Sequence, residues 1–185
     1  MNNMIPRKTF TAFFAAIFLA TIGFSYMLEN NKSKEIKSFF PNQKSWELKR
    51  FAITDDKDKT LVFKRINCVW VIGDDNLPSD EIKVTALAEK LITLKSDDLV
   101  TENEGDYERL KVSTSQFSFK IEFSFKDETS RTLLLWKADM GRPSHARRAD
   151  ESGVYLIYEP MLAEIKLDTK EWVNSVDEVS GLSKQ

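Results

Sequence analysis

Between residues 117 and 125 the chain reads Phe-Ser-Phe-Lys-Ile-Glu-Phe-Ser-Phe, an unbroken alternation of five apolar residues with small or charged ones. Successive side chains of a strand point to opposite faces, so a period of two gathers Phe117, Phe119, Ile121, Phe123 and Phe125 on one face. The chain must therefore build a sheet with one buried and one wet face. Residues 126–130 supply a turn, and residues 132–136 return as a more fully apolar strand that pairs with the first as a hairpin.

The flanking segments predict an α+β domain over residues 46–175. Residues 46–53 and 60–65 are strand-like runs separated by Asp55-Asp56-Lys57-Asp58, and residues 68–72 make a third run closed by Gly73-Asp74-Asp75-Asn76, together an antiparallel meander. After Pro78, Ser79 is placed to cap a helix over about 79–95, in which Val84, Leu87, Ala88, Leu91 and Leu94 recur at helical spacing. Residues 141–153 read as a basic loop and 154–158 as another strand. Pro160 then opens a short C-terminal helix through Met161, Leu162 and Ile165, with Trp172 as a late apolar anchor. Trp46, Trp70, Trp136 and Trp172 all fall on strand or helix patterns and read as core residues. From residue 176 to 185 no core pattern remains, and the tail is expected to be flexible.

Ahead of this domain, residues 10–28 carry no charge and follow Arg7 and Lys8. At about 1.5 Å per residue a helix of that length spans a hydrocarbon core of about 30 Å. The run is longer than the apolar region of about 7–15 residues in a cleaved signal peptide, and Gly23-Phe24-Ser25 is its nearest small-x-small site, so it reads as an uncleaved transmembrane anchor. The basic pair argues for residues 1–9 on the cytoplasmic side and the domain on the periplasmic side. Residues 29–45, polar and lysine-rich and ending in Phe39-Phe40-Pro41, read as a linker.

Composition removes several classes of function. The 27 basic and 29 acidic residues leave a formal net charge of -2, which gives no field for nucleic acid. The single cysteine, Cys68, excludes an internal disulfide and multi-cysteine metal sites, and its place in a strand-like run predicts a buried, inert thiol. No Gly-x-Ser-x-Gly elbow, phosphate loop, His-Glu-x-x-His or calcium loop occurs. The pairs Asp55-Asp56, Asp74-Asp75 and Asp97-Asp98 read as solvated turns or helix ends. One local cluster stands out: Arg142, His145, Arg147 and Arg148, cationic donors able to hold a small anion through charge-assisted bonds. Asp150 and Glu151 stand close enough to neutralise them. No catalytic residue, metal or cofactor is expected.

Several of these features occur together in one known family. The strand hairpin leading to Cys68-Val69-Trp70-Val71-Ile72, then Pro78-Ser79-Asp80 opening the helix of Leu87, Leu91 and Leu94, resembles the bacterial family catalogued as domain of unknown function 4340. The extended strand pair at 117–136, Arg147-Arg148 before Val154-Tyr155-Leu156-Ile157, and the leucine segment at 160–167 continue the resemblance over residues 46–175. Tyr107-Glu108-Arg109-Leu110 departs from the glycine-leucine turn usual there. The resemblance implies an anchored envelope protein, related to components that accompany ABC-type export systems, with no catalytic residues to carry over.

The expected function is thus a non-catalytic periplasmic domain, tethered to the inner membrane, that binds a protein partner in an envelope or ABC-transporter-like complex. The alternative is a small-anion binding or sensing domain using residues 142–148.

Overall fold

The computed structural model describes residues 36–139, 142–158, 162 and 165–173. The alternating segment forms strand β8 (Phe119–Phe125) and pairs with β9 (Ser130–Trp136) as the expected hairpin, Ile121 opposite Leu133 and Phe119 opposite Leu135. The meander is present too: β2 (Leu48–Asp55), β3 (Thr60–Ile66), β4 (Val69–Ile72) and the short β5 (Leu77–Pro78) pair antiparallel in chain order. β2 then pairs with β8. One antiparallel sheet of nine strands results, ordered β5-β4-β3-β2-β8-β9-β10-β11-β7, where β7 is Leu99–Thr101, β10 is Ser144–Arg148 and β11 is Val154–Ile157.

Register places Phe51 opposite both Phe63 and Phe123, so aromatic rings from three neighbouring strands meet on one face. Phe51 stacks on Phe63 at 4.5 Å and meets Trp70 edge-on at 5.3 Å. Helix α1 (Glu81–Ile92) packs on this face through Val84, Leu87, Ala88, Leu91 and Ile92. Its cap is Asp80, whose carboxylate accepts from the Lys83 N–H at 3.1 Å, and not Ser79. The Ser79 hydroxyl is buried and donates instead to the Trp70 carbonyl at 2.8 Å. Thr93 ends the helix, its N–H bonded to the Glu89 carbonyl at 2.9 Å.

The opposite face is partly exposed over β3 and β8, buried at Ala52 and Thr54 of β2, and covered over β9 to β11. There the segment following β7 lays Tyr107, Leu110 and Val112 against Leu134 and Val154, with Phe117 and Trp136 packed beside them. Leu133, Leu134 and Leu135 are consequently all buried, which explains why β9 is more fully apolar than its partner.

Four further expectations change. The compact unit begins at Ile36, not near residue 46: Lys37–Ser38 forms β1, pairs with β6 (Lys95–Ser96), and delivers buried Phe39 and Phe40 into the core. Cys68 is exposed because Asn67 and Cys68, at φ 50° and 68°, form the two-residue turn between β3 and β4. Trp46 is exposed on a 3₁₀ turn (Ser45–Glu47) that precedes β2, while Trp70 and Trp172 are core residues as expected. Within the expected basic loop, Ser144–Arg148 forms strand β10. Among the described residues no helix is long and apolar enough to cross a membrane. The expected anchor at 10–28, the helix-opening Pro160 and Met161, and the tail from 176 lie outside the described residues.

Candidate functional site

Strand β10 decides the fate of the four cationic candidates, because alternation sends neighbouring side chains to opposite faces of the sheet. Ala146 and Arg148 point to the α1 side, His145 and Arg147 to the face covered by the segment after β7. Arg142 lies before the strand and is exposed, its N–H bonded to the Asp139 carbonyl at 3.1 Å. The four do not converge on one point.

Two of them are already committed to the fold. The Arg147 side chain is buried, with Nε donating to the Val112 carbonyl at 2.9 Å and Nη1 to those of Glu151 at 3.2 Å and Ala149 at 3.4 Å. Its guanidinium lies 4.0 Å over the Tyr107 ring, and the Tyr107 hydroxyl donates to the Ser152 carbonyl at 2.9 Å. Arg148 donates from Nη1 to the Phe39 carbonyl at 2.9 Å, from Nε and Nη2 to the Asp150 carboxylate at 2.6 and 3.0 Å, and from Nη2 to Glu151 at 2.8 Å. Neutralisation by Asp150 and Glu151, legible from the sequence, is thus geometric as well as compositional.

His145 stacks on Trp136 at 5.0 Å between ring centroids. Burial is the main reason its pKa falls below the usual 6.5; a hydrogen bond to the Leu110 backbone opposes the shift and Arg109 adds to it. Its Nδ1 is buried without a partner among the described residues. The imidazole is thus packed against the indole on the covered face of the sheet. No group of three or more His, Cys, Asp or Glu side chains able to hold a metal occurs among the described residues.

The surface that sequence reasoning missed is the far edge of the sheet. β7 pairs with β11 on one side only, Thr101 opposite Val154 and Leu99 opposite Tyr155 with a register shift between them. The strand is fixed locally: the Asp98 carbonyl accepts from the Leu156 N–H at 2.9 Å, the Ser96 hydroxyl donates to the Leu156 carbonyl, and Thr101 donates to Asp106 at 3.0 Å. Yet Leu99 is 51% and Val100 39% exposed, and Tyr158 beside them is 67% exposed with its hydroxyl bonded to Asp98 at 3.2 Å. Leu-Val-Thr between Asp97-Asp98 and Glu102 carried a short signal, three β-compatible residues bounded by acidic turn formers. The opposite edge differs, since β5 is two residues long and ends in Pro78, which has no N–H to offer a further strand.

Residues 70–176, more than half of the chain, match the model of a family described as domain of unknown function (DUF4340). The match covers β4 to β11 and α1 and leaves β2 and β3 outside it. No curated protein and no solved structure matches the chain.

Proposed function

The chain belongs to the DUF4340 family, and we propose that it is a membrane-anchored envelope protein whose periplasmic domain docks a protein partner and performs no catalysis. The open β7 edge carries this reading, because it combines unsatisfied strand-pairing capacity with exposed Leu99 and Val100 set between acidic residues. The cationic candidates favour it as well: Arg147 and Arg148 hold carbonyls and carboxylates of their own chain, which leaves them few donors for an anion. The uncharged run at 10–28 behind Arg7 and Lys8 supplies the anchor and the orientation. The partner is a subunit of an envelope or ABC-transporter-like assembly in the same membrane.

Anchoring and side are tested together. Full-length protein should stay in the membrane fraction through an alkaline carbonate wash, and in spheroplasts an external protease should reach the domain. Release by carbonate would remove the anchor, and protection in spheroplasts that ends on lysis would put the domain on the cytoplasmic side.

A further inference from the structure

The β7 edge is set in a charged frame that narrows what can pair with it. From residue 95 to 106 the chain carries five carboxylates, Asp97, Asp98, Glu102, Glu104 and Asp106, against one lysine, Lys95. Asp106 is answered by Arg109 at 2.9 Å and Asp98 by the Tyr158 hydroxyl. Asp97, Glu102 and Glu104 are exposed and make no ion pair among the described residues. Leu99 and Val100 thus present a short apolar, β-compatible surface with acidic groups at both ends.

We propose that β7 receives an extended segment of a partner protein as an additional strand, and that this segment carries lysine or arginine on both sides of a short β-branched core. This deepens the docking role proposed above and rests on it. The backbone of the edge gives affinity through ladder hydrogen bonds, and the acidic flanks give specificity by charge complementarity. The same flanks disfavour the simplest competitor, a second copy of this chain paired β7 to β7, because that arrangement brings Asp97, Glu102 and Glu104 of both copies together. The β5 edge also has carboxylates on both sides, but Asp74 pairs with Lys64, Asp80 with Lys83, Glu81 accepts from the Trp70 N–H, and Pro78 has no N–H to offer a further strand.

The test uses full-length protein in detergent micelles and three capped heptapeptides: KRVTVRK, its acidic counterpart EDVTVDE, and KRVTVRK methylated on alternate backbone nitrogens. Saturable binding of the first is expected, at least tenfold weaker for each of the other two, and at least fivefold weaker when the protein carries E102K and E104K. Equal binding of the methylated peptide would reduce the effect to charge alone and overturn strand addition; no binding of KRVTVRK, or equal binding of EDVTVDE, would overturn the proposal directly. A photo-crosslinking residue at position 100, and another at position 46 on a different surface, separate this inference from the docking role. In native membranes an adduct at 100 should map to a segment with basic flanks. Adducts at 46 alone overturn the β7 assignment and leave docking standing, whereas adducts at neither overturn both.

Discussion

The Arg147 guanidinium lies over the Tyr107 ring, 4.0 Å from its centroid, and the same group holds three carbonyls from two different loops. This arrangement ties the covering segment to β10 and β11, and it makes Arg147 a structural residue. Removing the side chain leaves the Val112 carbonyl without its buried donor, at a cost of about 2–4 kcal/mol. Arg147→Ala should lower the urea midpoint accordingly. Arg147→Lys should rescue little, because one ammonium cannot reach the carbonyls that the planar guanidinium spans. A midpoint unchanged by Arg147→Ala would return the residue to the pool of free cationic donors.

The tryptophans should separate by burial. Trp172 meets Phe63 edge-on at 5.4 Å, donates from Nε1 to the Lys166 carbonyl at 2.8 Å, and accepts at its own carbonyl from the Asp80 N–H at 2.6 Å. Trp172→Ala is expected to destabilise by about 3–5 kcal/mol, as large aromatic deletions in a core do. Trp46, 59% exposed, should tolerate alanine within about 0.5 kcal/mol. Thermal or urea unfolding of both variants decides the contrast.

His145 gives a pH signature of known sign. It is harder to protonate in the fold than in the unfolded chain, so its contribution is complete above the unfolded pKa near 6.5 and is lost as pH falls towards the depressed folded value. It is the only histidine, and the shifted carboxylates Asp74, Asp80, Asp106, Asp127 and Asp150 sit below their usual 3.8 and act only in stronger acid. Wild-type protein should therefore lose stability as pH falls below 6.5, and His145→Phe, which keeps a ring on Trp136, should show a flatter profile there. Parallel profiles would contradict the burial of the imidazole.

Cys68 occupies a left-handed position in the turn joining β3 and β4, at φ 68°. Cys68→Gly should stabilise the protein by about 1 kcal/mol, since glycine adopts that backbone without steric cost, and Cys68→Val should destabilise it. The exposed thiol should react with an aromatic disulfide reagent in the native protein, with no denaturant added.

Wherever a regular period ran for five residues or more, the sequence was readable. The β8 alternation, the β2–β4 meander and the apolar stripe of α1 all appear within a few residues of their expected bounds. Strand β10 was not readable, because Ser-His-Ala-Arg-Arg places polar side chains on both faces and only Ala146 marks the core. Its burial depends on partners 35 residues away in sequence, as between Arg147 and Val112. Trp46 and Cys68 misled for a related reason: each adjoins a strand, and local pattern alone extends that strand across them. The edge strand β7, at three residues, is too short to generate a period at all.

Docking by this domain is tested most directly by affinity purification of the full-length protein from detergent-solubilised membranes of its native host, with mass spectrometry of what co-elutes. Recovery of an envelope or transporter subunit in near-stoichiometric amount, lost when Leu99 and Val100 are both changed to Asp in a chain that still unfolds at the wild-type midpoint, is the expected result. Recovery of the protein alone from several mild detergents would contradict it.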